Sequence, residues 1–136
     1  MRAKLAVFAS IVGMILGTGS AIAHHSFAAE FDANKAVTQK GIVTKIEWQN
    51  PHTYFYLDVT GTDGKVVNWG WEMGSPNGLM RMGWTRNTLK IGDSVTVEGS
   101  QAKDGNNIGN ARVVILDATG QRLFAASSQT QTQSQY

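Results

Sequence analysis

Alternation of apolar and polar residues with a period of two constrains this fold more than any other feature of the sequence. In the stretch 53–60, TYFYLDVT, three apolar side chains alternate with two tyrosines and an aspartate. Related alternation runs through 42–48 and 65–73. A period of two is that of a β-strand with one buried face. The sequence therefore predicts a mainly β protein.

Turn residues separate these strands and set their number. Gly61–Gly64 (GTDG) is typical of a hairpin loop between the second and third strands. Ser75-Pro76 has the chemistry of a helix start, with serine as N-cap and proline at the first helical position, and Gly83 suits the helix end. Asn50-Pro51 breaks the first strand, which we expect to start at Val37.

Two further strands, 94–99 and 110–116, follow the expected helix, and a short last strand covers 121–124. Five main strands with one short helix between the third and fourth is the order of an OB-fold, a small Greek-key barrel. We therefore expect an OB-fold-like, five-stranded barrel. A β-sandwich or β-roll is the alternative.

The first 23 residues have the features of an export signal. Arg2 and Lys4 precede the apolar run 5–16, and Ala21-Ile22-Ala23 fits the small-x-small pattern that signal peptidase cleaves. The run is shorter than the roughly 20 residues of a membrane-spanning helix. We expect residues 1–23 to be removed as a signal peptide, leaving a soluble periplasmic or secreted protein without a membrane anchor.

Charge and cysteine content restrict the partners of such a protein. Two of the 12 basic residues, Arg2 and Lys4, lie in the signal, whereas all 10 acidic residues follow it, so the remaining chain carries no net charge. A nucleic-acid binder usually has a basic excess, and we expect no nucleic-acid partner. The chain has no cysteine, which excludes disulfides and thiolate metal ligands.

The expected domain covers residues 24–126. The final segment 127–136, SSQTQTQSQY, has no aliphatic and no charged side chain. It cannot bury enough apolar surface to offset the entropy lost on ordering, so it is predicted to be a disordered polar tail.

The three histidines, His24, His25 and His52, are the candidate metal ligands. Cleavage after Ala23 makes His24 the N-terminal residue, with an α-amine and an imidazole that together chelate a metal. Cu(II) favours such nitrogen ligands. Cleavage after Ala21 would instead place His24 third, where the amine, two backbone amides and the imidazole form a different chelate. A polar chain start without any role is the alternative.

His52 lies in the loop between the first two strands, which borders the usual binding face of an OB-fold. We interpret it as a second copper ligand, with capping of the strand entrance as the alternative. Phe27 and Phe31 are expected to anchor the N-terminal arm to the barrel. The possible oxygen ligands are Glu30, Asp32, Glu47 and Glu72, although each is ordinary surface charge by default.

Tyr54 and Tyr56 share the polar face of the second strand and are candidates for binding a flat ligand. Exposed, they would stack on a sugar, a peptide or a partner protein, whereas the four tryptophans are expected to pack in the core. No catalytic signature is present: the sequence lacks a cysteine nucleophile, a G-x-S-x-G elbow and a phosphate loop. We expect a non-enzymatic binding domain. Copper-dependent oxidation stays open.

Several motifs resemble a known family. The segments AHHSF, KGIVTKIEWQNPH and GSPNGLMRMGWTRNTLKIGDSVTVEG are similar to those of small exported bacterial proteins classed as a domain of unknown function. The resemblance extends over about 24–127 and implies a periplasmic β-barrel-like domain without an assigned ligand. Separately, the ligand set of His24 and a second histidine resembles the histidine brace of copper-dependent polysaccharide monooxygenases.

The mature N-terminus tests the export signal directly. We expect intact-mass spectrometry of the exported protein to give a chain that begins at His24, because Ala21 and Ala23 occupy the positions that signal peptidase reads. A chain that begins at Ile22 would support the alternative chelate. A mature chain that still carries Met1 would contradict the prediction.

Overall fold

The computed structural model describes residues 26–126. The predicted signal peptide, His24, His25 and the predicted polar tail lie outside the described residues. Its elements, in chain order, are α1 Phe27–Glu30, β1 Phe31–Glu47, β2 Tyr54–Thr60, β3 Val66–Glu72, α2 Pro76–Arg81, β4 Ser94–Ala102, β5 Ile108–Leu116 and β6 Gln121–Phe124. Within this part of the chain, no helix has the length and apolar character needed to cross a membrane.

The six strands form one sheet with the order β3-β2-β1-β4-β5-β6. Neighbours in this order are antiparallel, and β3 also pairs in parallel with β5, so that Gly70–Glu72 lies beside Ile108–Asn110. The mainly β class and the short helix between β3 and β4 are confirmed. The predicted short last strand at 121–124 is also confirmed: it pairs with β5 over four residues, so the sheet has six strands rather than the five of the expected barrel.

Strand β1 is longer than the sequence indicated and begins at Phe31 rather than Val37. Its first part pairs with β4 and its last part with β2. A bulge between Val43 and Lys45 interrupts the pairing with β2. A bulge shifts the alternation of inward-facing and outward-facing side chains by one residue. Val43 is therefore buried, whereas Ile42 is 45% exposed.

The core lies on the other side of β2 from the two tyrosines. Phe55 and Leu57 of β2 are fully buried, as the alternation predicted. Three of the four tryptophans are buried in the same cluster, and Trp48 is partly buried against it. Core packing of the tryptophans is therefore confirmed.

Trp71 packs against backbone at two glycines. A Cβ atom built on Gly109 would lie 2.4 Å from Cζ3 of Trp71, and one on Gly99 would lie 2.9 Å from the same atom. Both contacts are shorter than real Cβ atoms allow. Because Gly99 in β4 and Gly109 in β5 have no side chain, the Trp71 ring has room in the core.

The N-terminal arm is fastened to the β4–β5 hairpin. The rings of Phe27 and Phe31 stack with centroids 5.6 Å apart and form a second apolar cluster with Ala102. Lys103 donates its backbone N–H to the Glu30 carbonyl at 2.9 Å and its Nζ to the Ala28 carbonyl. The prediction that Phe27 and Phe31 anchor the arm is confirmed.

Gly109→Ala should destabilise the protein, because the new methyl group overlaps the Trp71 ring. Overpacking in a closed core costs about 1–3 kcal/mol. Gly70→Ala is the matched control: a Cβ there lies 3.3 Å from Cε1 of the half-buried Tyr56, which has room to yield. Urea unfolding should show a clearly lower midpoint for Gly109→Ala than for Gly70→Ala. Equal midpoints would contradict this explanation of Trp71 packing.

Candidate functional site

His52 lies just before β2, one residue after the cis peptide bond between Asn50 and Pro51. Its Nδ1 atom is 3.2 Å from the Met73 carbonyl oxygen and 3.7 Å from Oε1 of Glu72. A carbonyl oxygen only accepts, so Nδ1 carries the proton of this hydrogen bond. In a neutral imidazole the lone pair is then on Nε2. The ring is largely buried, with 18% of its side chain exposed.

Glu72 is a buried carboxylate, with 8% of the residue exposed. Its position in β3 is opposite Tyr54 in β2 and Asn110 in β5. The Tyr54 hydroxyl donates to Oε2 at 2.8 Å, and Nδ2 of Asn110 donates to Oε1 at 3.3 Å. Residues from the two strands that flank β3 thus hold both oxygens of the Glu72 carboxylate.

Burial raises the pKa of Glu72 above its ordinary value, because a buried carboxylate loses the solvation of its charge. Repulsion from Glu30 acts in the same direction, whereas the hydrogen bonds from Tyr54 and Asn110 and the charge of His52 act against it. The pKa of Tyr54 is also raised, first by burial and then by its bond to Glu72. The Tyr54 hydroxyl therefore stays a donor at neutral pH.

Tyr56 belongs to a neighbouring network on the same face of β2. Its hydroxyl donates to Oε2 of Glu47 at 2.9 Å, and Nζ of Lys45 lies 5.1 Å from its ring centroid. Gly70 lies opposite Tyr56 on β3, close to the ring. Tyr54 and Tyr56 are both half-buried, and the hydroxyl of each donates a hydrogen bond to a carboxylate.

A cleft of about 420 Å³ opens beside Tyr54 and Glu72. One wall is the arm at 29–31, the second is formed by those two side chains of the sheet, and the third by residues 102–104 and Ile108 of the β4–β5 hairpin. The structure thus places Tyr54 at the cleft. Tyr56 and His52 are not among the residues that line it.

The described residues contain no group of three or more His, Cys, Asp or Glu side chains that could hold a metal ion. His52 and Glu72 are the predicted candidates that come together, while His24 and His25 lie outside the described residues. The sequence indicated Glu72 as a possible oxygen ligand but did not predict that it is buried. Its burial depends on the register of β3 with both β2 and β5, for which the local sequence contains no signal.

Glu72→Gln tests the cost of the buried charge. Because burial raises the folded pKa of Glu72 above its ordinary value of 4.5, the folded state holds the proton more tightly than the unfolded state. The free energy of unfolding should therefore fall as pH rises from 4.5 through the folded pKa. Each unit of pKa difference contributes about 1.4 kcal/mol. The glutamine amide carries no charge, so its burial has no such pH-dependent cost. It can still form hydrogen bonds with Tyr54 and Asn110.

Urea unfolding measured from acid to neutral pH should give a flatter profile for Glu72→Gln than for the wild type. Asp117→Asn is the control of opposite sign, since hydrogen bonds from Ser94 and Thr96 lower the Asp117 pKa and its contribution is lost as pH falls. If Glu72→Gln keeps the wild-type slope of unfolding free energy against pH, ionisation of Glu72 is not the cause of that slope.

A model of a family of unknown function, DUF6152, matches residues 13–111. The match covers well over half of the 136 residues and includes all three histidines together with β1 to β4. No curated protein matches the sequence. The predicted membership of a family without a known function is confirmed: this chain belongs to the DUF6152 family.

Proposed function

We propose that the protein is a non-enzymatic, exported domain that binds a transition metal, most favourably copper, through His24, His25 and His52. The observation that supports this function is the hydrogen bond from Nδ1 of His52 to the Met73 carbonyl. Histidines that bind metals usually donate their other ring N–H to a carbonyl or carboxylate, which fixes the tautomer and the ring orientation. His52 has the Met73 carbonyl and the Glu72 carboxylate beside Nδ1.

The attachment of the arm supports a role for the N-terminal histidines in the same site. Phe27 is buried, and Glu30 lines the cleft with Glu72, which is itself next to His52. The three residue steps from Phe27 back to His24 span at most about 11 Å. An N-terminal amine and imidazole together with Nε2 of His52 would supply three nitrogen ligands, the set that Cu(II) favours.

We further propose that the protein is exported and that its sheet closes into a barrel. Residues 1–23 are the signal peptide, and the mature protein acts in the periplasm or outside the cell. We also propose that strands β1 to β5 form an OB-fold-like barrel; the pairings of β3 with β5, β5 with β4 and β4 with β1 support it. In that fold the loops after β1 and β4 border the binding face. His52 and Lys103 belong to these two loops.

A second candidate function is metal-free binding of a glycan, peptide or partner protein at Tyr54 and Tyr56. The cleft beside Tyr54 favours it. Under this function Tyr54→Ala abolishes capture of the ligand, while replacement of the histidines leaves it intact.

Copper titration of the mature protein with its native N-terminus tests the first function. We expect one Cu(II) per chain, with d–d absorption and EPR parameters of nitrogen ligation. His24→Ala and His52→Ala should each weaken binding about tenfold or more, because each removes a ring nitrogen. One extra residue before His24 should weaken it similarly, since the amine no longer chelates with that imidazole.

Gln49→Ala is the matched control, a truncation of an exposed side chain in the loop that carries His52. It should leave copper affinity unchanged. Weak binding that is the same in the wild type, in His52→Ala and in the N-terminally extended chain would overturn the proposed function.

A further inference from the structure

Glu72 has a carboxylate beside Nδ1 of His52, the ring nitrogen that does not bind metal in the proposed function. Oε1 of Glu72 is 3.7 Å from this nitrogen, too far for a hydrogen bond but close enough for electrostatic attraction between two largely buried side chains. The Met73 carbonyl oxygen, at 3.2 Å, accepts the hydrogen bond itself. His52 therefore has a neutral acceptor and a carboxylate on the same side of its ring.

Two hydrogen bonds keep the Glu72 carboxylate in one orientation. The hydroxyl of Tyr54 donates to Oε2 at 2.8 Å, and the side-chain amide of Asn110 donates to Oε1 at 3.3 Å. Acceptance at both oxygens matches the ionised form of a carboxyl group, which has no proton to donate. The negative charge is thus held on the Nδ1 side of His52.

The fold alone does not require a charge at this position. Glu72 is 8% exposed, and a buried carboxylate costs solvation free energy that an apolar side chain of similar volume would avoid. Phenylalanine could replace Tyr54 in the same network and would need no acceptor. His52 is the neighbour for which a carboxylate and an apolar side chain differ most, because only a carboxylate attracts the proton on Nδ1.

We infer that Glu72 is a positioning residue for His52: its charge keeps the ring proton on Nδ1 and leaves the Nε2 lone pair free to bind a metal ion. An N–H that faces a carboxylate is attracted to it, whereas a ring lone pair that faces a carboxylate is repelled. The same charge makes Nε2 a stronger donor, as carboxylates behind metal-binding histidines do. Tyr54 acts through Glu72. The inference rests on the proposed function in taking metal as what Nε2 binds.

Nitrogen NMR of the His52 ring in the metal-free protein tests the inference without copper, with the signals assigned by their loss in His52→Ala. At about pH 8 an ordinary imidazole, with a pKa of about 6.5, is neutral, so the two tautomers can be compared. We expect the proton on Nδ1 in the wild type. In Glu72→Gln the Nδ1-protonated fraction should fall, because the glutamine can turn its NH₂ group toward Nδ1 and favour the other tautomer.

Copper titration of the mature protein measures the effect on Nε2. Glu72→Gln should weaken Cu(II) binding about tenfold, as replacement of a group behind a metal-binding histidine does. Tyr54→Phe removes only the donor to Oε2 and should weaken binding by a smaller factor. Asp117→Asn is the matched control: it removes the same charge from a carboxylate that is likewise held by two side-chain donors, Ser94 and Thr96, and should bind copper like the wild type.

A wild-type ring with its proton on Nε2 would overturn the inference, and so would a tautomer fraction or a copper affinity that is unchanged in Glu72→Gln. Tyr54→Phe keeps the test valid if Glu72→Gln does not fold, since a carboxylate held by one hydrogen bond fewer should also lower the Nδ1-protonated fraction. If the wild type binds no copper while its tautomer depends on Glu72, the proposed function fails and the positioning role of Glu72 is supported.

Discussion

The parallel pairing of β3 with β5 is the constraint on which the rest of this structure depends. It covers only three residues of each strand, and Trp71 lies opposite Gly109 within it. Any side chain at Gly109 would occupy the space of the Trp71 ring. Because neighbouring residues of a strand point to opposite faces, the same register that buries Trp71 in the core directs Glu72 to Asn110 on the other face. The three-residue pairing of β3 with β5 therefore fixes the positions of both Trp71, the largest fully buried side chain, and the buried carboxylate of Glu72.

A buried carboxylate costs solvation free energy that its hydrogen bonds only partly return. Glu72 receives hydrogen bonds from Tyr54 and Asn110 and lies next to His52. An apolar residue could fill similar volume, but it would leave the Tyr54 hydroxyl and the Asn110 amide without this acceptor. The network thus fixes the relative positions of β2, β3 and β5 at the end of the sheet where the loop with His52 begins.

Local patterns were sufficient to predict much of the fold. The alternation in β2 gave the correct buried and outer faces, and Ser75-Pro76 gave the start of α2, where Ser75 Oγ accepts from the Gly78 N–H. The bulge after Val43 was not predictable, since it depends on how β1 meets β2. The polar residues at the start of β1 carry no strand pattern, and they extend the strand because β4 is available as a partner.

The candidate site was less predictable than the fold. His52 and Tyr54 were singled out because their residue types and positions are informative on their own. The burial of Glu72 and the cleft at its side arise from contacts between residues far apart in sequence, including Glu30 and Ile108. No local pattern records such contacts.

The attachment of the arm to the β4–β5 hairpin has a consequence for access. The attachment includes one small apolar cluster, separate from the main core, and hydrogen bonds at Lys103. Segments held in this way open at a lower free energy than the whole domain unfolds. Local opening of the arm would therefore widen the cleft on that side while the sheet stays folded.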